Sequence, residues 1–234
     1  MPKTILNCFV LILLAIAFIS CGGDDPKVPQ PTTQGLVAFY AFEGNTNDKV
    51  GDYDAIPPIG TSLTYSSFGK NKKAVNFSGG NENYAVIDEP FDYEYKTVCF
   101  WFKADVITET RGMILVSDNP NKQYGLIGVA VYEELGQKYL VMNIAGNPTT
   151  TTISEGTWYH VTLVGDAKHY SYFLNGELLD EGDFDSYLSS FNGEEETVLG
   201  ASRIHTLVFT GSMDNLRIYN RALTAQEIAI VSDH

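Results

Sequence analysis

The sequence is poor in cysteine and in positive charge. It has three cysteines, and its 15 lysine and arginine residues stand against 29 aspartate and glutamate residues, a formal net charge of −14. Nucleic acids and anionic membrane surfaces are bound through clustered positive charge, so this balance argues against both as partners. It is compatible with neutral glycans, with cations, or with solubility alone. The four histidines show no metal-binding spacing of the His-Glu-x-x-His type.

The apolar run near the N-terminus is too short to cross a bilayer, which takes about 20 residues. It extends from Cys8 to Ile19, follows Lys3, and ends in the small and polar residues Ser20-Cys21-Gly22-Gly23. A charged start, an apolar centre and a small-residue end are typical of a secretory signal peptide. Residues 1–20 are therefore predicted to be a signal peptide.

The end of this segment, Phe18-Ile19-Ser20-Cys21, resembles the lipobox of bacterial lipoproteins, although Phe18 stands where Leu, Val or Ile is usual. The resemblance implies cleavage before Cys21 and attachment of a lipid to its thiol. The alternative is an ordinary secretory signal with an incidental cysteine. Asp24 and Asp25 resemble the acidic export signals of surface lipoproteins, which implies a lipid anchor in the bacterial outer membrane with the domain facing the cell surface.

The segment that follows, residues 21–34, is rich in proline and has almost no apolar side chain to bury, so it is predicted to be an extended tether. With Cys8 in the signal peptide and Cys21 lipidated, only Cys99 remains, and one thiol cannot form an intramolecular disulfide. Cys99 lies in an apolar run and is predicted to be a core residue.

From residue 35 onwards, short apolar or alternating runs separated by turn residues predict β-strands. Asn175-Gly176 lies between two such runs and predicts a hairpin with a type I′ turn. Near the end, Thr224 and Glu227 form a capping box, which predicts a short C-terminal helix. The pattern favours one all-β domain of two antiparallel sheets over residues 35–234.

Several segments, taken in order, resemble the laminin-G-like (LamG) domains of the concanavalin A-like lectin/glucanase superfamily. They are the opening Gly35–Asp48, the strands Ala74–Gly79 and Val98–Lys103, the segment Trp158–Val161 with the hairpin Tyr172–Gly176, and the ending Phe209–Thr224. The resemblance implies a two-sheet antiparallel jelly-roll sandwich. Because this fold hosts lectins, adhesion modules, glycosidases and lyases, the function has to be argued from the site.

The loop after the first predicted strand is dense in the oxygen ligands that calcium takes. Related domains often hold one calcium ion between this loop and an aspartate of the C-terminal strand. The resemblance therefore implies one structural calcium ion as a cofactor, held by Glu43, Asn45, Asp48 and Asp214. The alternative is that the loop residues are ordinary turn residues and that Asp214 pairs with Arg217 or an amide.

No catalytic set is evident. Many glycosidases of this fold carry two carboxylates in a Glu-x-Asp-x-x-Glu strand. The nearest segment is Glu181-Gly182-Asp183-Phe184-Asp185-Ser186, where Ser186 stands in place of the second glutamate. Its three acids alternate along one strand face, as on a solvated surface. His160 is predicted to be structural, no catalytic residue is assigned, and the protein is predicted not to be an enzyme.

Tyrosines in predicted loops offer rings that could stack on a sugar, but they form no cluster in the sequence, so the carbohydrate-binding residues stay unassigned. These tyrosines are Tyr53, Tyr65, Tyr93, Tyr95 and Tyr187. The leading hypothesis is a non-enzymatic cell-surface lipoprotein whose LamG-like domain binds a glycan or a glycoprotein. The alternative is a protein-interaction or structural envelope lipoprotein without a sugar site. A glycoside hydrolase or lyase comes third.

Overall fold

The computed structural model describes residues 29–58, 63–68, 72–87, 96–117, 127–166, 168–184 and 196–234. The predicted signal peptide, Cys21 and the first part of the predicted tether lie outside these ranges, as do Tyr93, Tyr95 and Tyr187. Within the described ranges, no helix is both long enough and apolar enough to cross a membrane.

The described residues form a succession of strands followed by one helix at the end of the chain. The strands are β1 (Leu36–Tyr40), β2 (Ala55–Ile56), β3 (Thr64–Phe68), β4 (Lys72–Ser78), β5 (Ala85–Ile87), β6 (Lys96–Val106), β7 (Gly112–Ser117), β8 (Ile127–Glu134), β9 (Gln137–Ile144), β10 (Asn147–Thr152), β11 (Trp158–Gly165), β12 (His169–Leu174), β13 (Glu177–Asp183), β14 (Thr197–Leu199) and β15 (Thr210–Tyr219). The helix is α1 (Ala225–Ser232).

The strands form two antiparallel sheets. Sheet A has eight strands in the order β13-β12-β11-β6-β15-β4-β3, with β1 also paired to β15. Sheet B has seven strands in the order β10-β9-β8-β7-β14-β5-β2. This confirms the predicted all-β, two-sheet antiparallel sandwich with a short C-terminal helix.

The main core lies between the two sheets and is set by the alternation of side chains along each strand. In the central strand β6, Val98, Phe100 and Phe102 point into this core and are at most 3% exposed. Cys99, between the first two, belongs to a different cluster on the opposite face of sheet A. Around Cys99 the strand is therefore buried on both faces.

Helix α1 covers that opposite face of sheet A. Its Ile228 and Val231 pack in one cluster with Cys99. The predicted capping box is confirmed, because Thr224 Oγ1 accepts a hydrogen bond from the Glu227 N–H (3.3 Å) and Glu227 Oε2 accepts one from the Thr224 N–H (2.9 Å). Cys99 is fully buried as predicted, and burial raises the pKa of its thiol to about 12.

The predicted hairpin between β12 and β13 is also confirmed. Asn175 and Gly176 both have positive φ angles, 52° and 81°, as a type I′ turn requires. The resulting register sets Ser171 opposite Glu181 and His169 opposite Asp183. The far ends of the two strands therefore bring these four residues together at one edge of sheet A.

Two features differ from the expectation or extend it. Strand β10 was not predicted, because its sequence is polar and contains Pro148. It pairs with β9 at the end of sheet B, and proline is tolerated on such an edge strand.

The last residues of the predicted tether contact the domain. The Tyr219 hydroxyl donates to the Thr32 carbonyl (3.1 Å), and Arg221 Nε donates to the Gln34 carbonyl (2.9 Å).

Candidate ligand-binding site

A half-open groove of about 560 Å³ lies on the helix side of sheet A, where β11 ends, β12 begins and β13 ends. Ligand sites in proteins are typically clefts of about 300–1,000 Å³, so the groove has a suitable size. Its lining residues come from these strands, from the turn between β11 and β12, and from the segment before α1. They are Val164, Asp166, His169, Tyr170, Ser171, Glu181, Gly182, Asp183, Ala222 and Leu223.

One wall of the groove is polar because of the β12–β13 register. Directly opposite residues of an antiparallel pair project from the same face of the sheet. His169 Nδ1 contacts Asp183 Oδ1, and Ser171 lies opposite Glu181 along the same strands. The side chains of His169 and Asp183 are 62% and 75% exposed, so they are open to a ligand and to solvent.

The turn that leads into β12 is held by Asp166. Its Oδ1 accepts hydrogen bonds from the N–H groups of Lys168 (2.7 Å) and His169 (2.8 Å), and its own N–H donates to the His169 carbonyl (2.9 Å). Side chains of aspartate commonly stabilise turns in this way. This turn fixes the position from which the imidazole of His169 extends.

The floor of the groove is apolar. Val164 and Leu223 are 7% and 6% exposed and belong to the cluster beneath α1. The Leu223 N–H donates to Thr97 Oγ1 (3.0 Å), whose hydroxyl in turn donates to the Arg221 carbonyl (2.9 Å). The floor is therefore anchored to the central strand β6.

An ion pair holds the same segment against the start of α1. Arg221 donates to both carboxylate oxygens of Glu227, at 2.9 and 2.6 Å. These hydrogen bonds from Arg221, together with that from the Thr224 N–H, lower the pKa of Glu227 to about 2. The charge of Arg221 is thus matched locally, beside the groove.

The groove combines an apolar floor with hydroxyl, imidazole and carboxylate groups on its wall. A carboxylate is an acceptor with two oxygens and can take two ligand hydroxyl groups at once. Of the segment compared with the glycosidase motif, Glu181 and Asp183 lie in this wall, while Asp185 and Ser186 lie outside the described residues. The arrangement supplies hydrogen-bond acceptors, and the absence of enzyme activity stays a prediction.

The loop predicted to hold calcium uses its oxygens to bind backbone groups. Glu43 Oε2 accepts a hydrogen bond from the N–H of Lys73 (3.2 Å), at the start of the neighbouring strand β4. Asn45 Oδ1 accepts one from the N–H of Asn47 (3.1 Å), two residues along the loop. The Asn45 contact is one that turn residues make without a metal, and the Glu43 contact ties the loop to β4.

The two remaining predicted ligands lie in different surroundings. Asp48 Oδ1 accepts hydrogen bonds from the N–H groups of Phe39 (2.9 Å) and Val50 (3.0 Å). Asp214 is fully buried in β15, opposite Trp101 of β6. In the part of the chain that the structure describes, no three His, Cys, Asp or Glu side chains are grouped as metal ligands, so the predicted carboxylates are not assembled as a cage.

The calcium hypothesis stays a prediction with a measurable consequence. An ion that binds only the folded state at 100 times its Kd adds about 2.7 kcal/mol to the free energy of unfolding. The hypothesis predicts that millimolar calcium raises the melting temperature by about 5–10 °C and that EDTA reverses the rise. In Asp48→Asn, which keeps an acceptor for the two backbone N–H groups, the rise should be lost. Equal melting curves with calcium and with EDTA would contradict the hypothesis.

Of the tyrosines singled out in the sequence, Tyr53 and Tyr65 lie in the described ranges, and neither lines the groove. Tyr53 is 37% exposed, and its carbonyl accepts a hydrogen bond from the Tyr40 hydroxyl (2.6 Å). Tyr65 was expected in a loop; it lies in strand β3 and packs partly buried against the main core. The tyrosine at the groove is Tyr170 of β12, which lies beside Gly182.

An aromatic ridge on the outer face of sheet B was also missed. The rings of Tyr132 and Tyr139, directly opposite each other on β8 and β9, stack with centroids 5.2 Å apart. The Arg111 guanidinium lies 5.4 Å from the Tyr132 ring centroid. The pairing of β8 with β9 brings the two tyrosines together. The turn between these strands, Leu135-Gly136, is not a typical hairpin sequence, so the sequence does not predict the pairing.

Comparison with known proteins shows which family and which solved structures this architecture resembles. The laminin G-type family profile described as "Concanavalin A-like lectin/glucanases superfamily" matches residues 78–229. Domain 4 of AbnA, a GH43 extracellular arabinanase from Geobacillus stearothermophilus, solved in complex with arabinotriose, is similar at a TM-score of 0.64 with 19% identity, over 84% of this chain and 98% of that domain.

Two further solved structures are similar over a smaller share of their own length. The ligand-binding domain of botulinum neurotoxin serotype D, in complex with N-acetylneuraminic acid, has a TM-score of 0.62 and 14% identity over 85% of this chain and 50% of its own. A SAP-like pentraxin from Limulus polyphemus has a TM-score of 0.55 and 17% identity over 68% of this chain and 81% of its own. At these identities the likeness shows the fold. Because the family profile covers more than half of the sequence, the chain belongs to the concanavalin A-like lectin/glucanases superfamily.

Proposed function

We propose that this protein is a non-enzymatic, lipid-anchored binding protein of the cell surface whose domain binds a glycan in the groove of sheet A. The observation that carries the proposal is the combination of an apolar floor with a wall of hydrogen-bonding groups in a cleft of ligand size. Each of the two surfaces has a counterpart on a sugar ring, which has apolar C–H faces and a polar rim of hydroxyl groups.

The floor and the wall would contact different parts of a bound sugar. The C–H face of a ring can rest on Val164 and Leu223, but these side chains are only 7% and 6% exposed, so this contact gives the ring a fitting surface and little affinity. The ring hydroxyls then meet Ser171 and Glu181 on the wall, where a hydrogen bond to a charged group contributes about 1.5–3 kcal/mol. A few such bonds give orientation as well as affinity.

The similar structures support a binding role. One is an arabinanase domain in complex with arabinotriose, and another is a toxin domain in complex with N-acetylneuraminic acid. The aromatic ridge of Tyr132 and Tyr139 offers a second surface on sheet B. We place the ligand in the groove because the groove is concave and presents several acceptor groups together.

A pair of matched variants tests the groove on a glycan array probed with the purified protein. Glu181→Ala removes an acceptor in the wall, and Glu177→Ala removes another exposed glutamate on the same strand β13. We expect Glu181→Ala to weaken binding of the best array glycan about 10- to 100-fold, the loss of one hydrogen bond to a charged group. Glu177→Ala should bind like the unchanged protein. Silence across the array, with and without calcium, would overturn the proposed function.

The proposed lipid anchor has its own test. Replacing Cys21 with serine removes the thiol that the lipid would acylate, so the protein should leave the membrane fraction and lose labelling by radioactive palmitate. Cys8→Ser, which alters the other N-terminal cysteine, serves as the control and should keep both the label and the membrane association. An unlabelled but still membrane-bound unchanged protein would contradict the assignment.

A further inference from the structure

We infer that the groove selects sugars by charge, accepting uncharged or amine-bearing sugars and excluding those that carry carboxylate or sulfate groups. This inference rests on the proposed function, because it specifies the ligand class of the same groove. The sign of the charge at the wall decides which sugars the groove accepts. Whether a sugar binds at all depends on the floor and the hydroxyl contacts.

The ten lining residues include three carboxylates, Asp166, Glu181 and Asp183, and neither lysine nor arginine. His169 contacts Asp183, so a protonated imidazole would offset one of the three charges at most. Two cations lie close by along the chain. Arg221 is paired with both carboxylate oxygens of Glu227, and the exposed Lys168 precedes His169 without lining the groove. The local field at the wall is therefore negative.

The contacts that these carboxylates make within the protein leave their negative charge accessible to a ligand. Asp166 is bound by two backbone N–H groups, which position it but leave the negative charge in place. Glu181 and Asp183 are exposed on the edge strand β13. A ligand carboxylate in a groove of this size would lie within the screening length of about 8 Å at physiological salt.

The expected discrimination follows from the distance between the charges. In an aqueous environment, two like charges about 4 Å apart disfavour association roughly fivefold, and the effect is larger near a protein surface. Because three carboxylates line the groove, we expect a uronic-acid sugar to bind at least tenfold more weakly than its neutral counterpart. An amino sugar should bind at least as tightly as the neutral one.

The test uses matched probes on the unchanged protein. Trisaccharides of glucose, galactose and mannose are each compared with their uronic-acid and 2-amino-2-deoxy counterparts, at 50 mM and 1 M NaCl. We expect the order amine, neutral, uronate at low salt, with the spread shrinking below about threefold at 1 M NaCl because exposed charges are then screened. Equal binding of neutral and uronate sugars at low salt would overturn the inference while leaving the proposed function standing.

Two triple variants separate the field of the groove from the charge of the whole protein. Asp166→Asn, Glu181→Gln and Asp183→Asn together neutralise the wall while keeping oxygen acceptors. Glu109→Gln, Glu134→Gln and Glu177→Gln together make the same change in net charge at exposed sites outside the groove. The groove triple should raise uronate binding relative to neutral binding at least tenfold, and the outside triple should leave the ratio unchanged. An equal effect of both triples, or binding of uronate sugars alone, would overturn the inference. Failure of the neutral, amino and uronate sugars alike, together with silence across the glycan array, would overturn the proposed function itself.

Discussion

Replacing Gly211 with alanine should destabilise the protein by about 3 kcal/mol or more, because the added methyl group would overlap backbone. Gly211 lies in β15, opposite Ala104 of the central strand β6. A Cβ at this position would lie 2.2 Å from the carbonyl oxygen of Lys103 and 2.5 Å from the ring of Phe209. A side chain could rotate away, but the carbonyl can move only if the two strands separate. Overpacking a well-packed interior typically costs about 1–3 kcal/mol, and a backbone clash belongs at the upper end or beyond.

The matched control is Gly80→Ala. A Cβ on Gly80 would have no atom within 4 Å, so the added methyl group has free space. Urea denaturation of both variants gives the comparison, and we expect Gly80→Ala to stay within about 0.5 kcal/mol of the unchanged protein. The loss in Gly211→Ala should lower the melting temperature by roughly 6–12 °C. If the two variants were equally stable, β6 and β15 would not approach each other as closely as described.

The parts of the fold that the sequence predicted correctly are those with local causes. The type I′ turn at Asn175-Gly176 depends on two adjacent residues that tolerate positive φ. The capping box depends on Thr224 and Glu227, three residues apart. The central strand β6 has a long apolar run with β-branched and aromatic residues, a pattern that favours a strand wherever it occurs.

The groove depends on contacts between distant parts of the chain. Its floor forms because Leu223 packs beside Val164, 59 positions earlier, and no local pattern encodes that approach. The sequence alone places Glu181 and Asp183 on one strand face. Ser171 and His169 join this wall only through the register of β12 with β13. The alternation of acids predicts a solvated surface, and only the neighbouring elements make that surface concave.

The turn between β8 and β9 shows a second reason for a missed feature. Leu135 has a φ of 51° and is fully exposed at 101%. A bulky residue seldom adopts a positive φ, so Leu135-Gly136 does not read as a hairpin turn in the sequence. Without that turn, the stacking of Tyr132 on Tyr139 could not be anticipated.

Acid should destabilise the protein through His160, whose surroundings exclude its charged form. The ring is fully buried on the helix side of sheet A and lies edge-on to Trp101, with centroids 5.3 Å apart. Among the residues that the structure describes, neither ring nitrogen has a hydrogen-bond partner. Burial, and then the positive charge of Arg217, lower the pKa of His160 to about 3. Asp214, on the same strand as Arg217, is also buried.

The sign of the pH dependence follows from this lowered pKa. The unfolded chain takes up a proton at His160 near pH 6.5, while the native state resists it down to about pH 3. Native stability is therefore unaffected by this group above pH 6.5 and falls as the pH drops from 6.5 towards 3. Since one pKa unit corresponds to about 1.4 kcal/mol, the loss reaches on the order of 3 kcal/mol by pH 4.

His160→Leu removes the titrating group and fills the site with an apolar side chain of similar volume. We expect its urea-denaturation free energy to fall between pH 7 and pH 4 by about 3 kcal/mol less than that of the unchanged protein. His169→Gln is the matched control, because it removes a histidine whose side chain is 62% exposed, and it should keep the full acid-induced loss. The comparison stops at pH 4 because Glu227, with a pKa of about 2, adds its own destabilisation in stronger acid. Parallel pH profiles for His160→Leu and the unchanged protein would show that His160 is not the group that acid must charge.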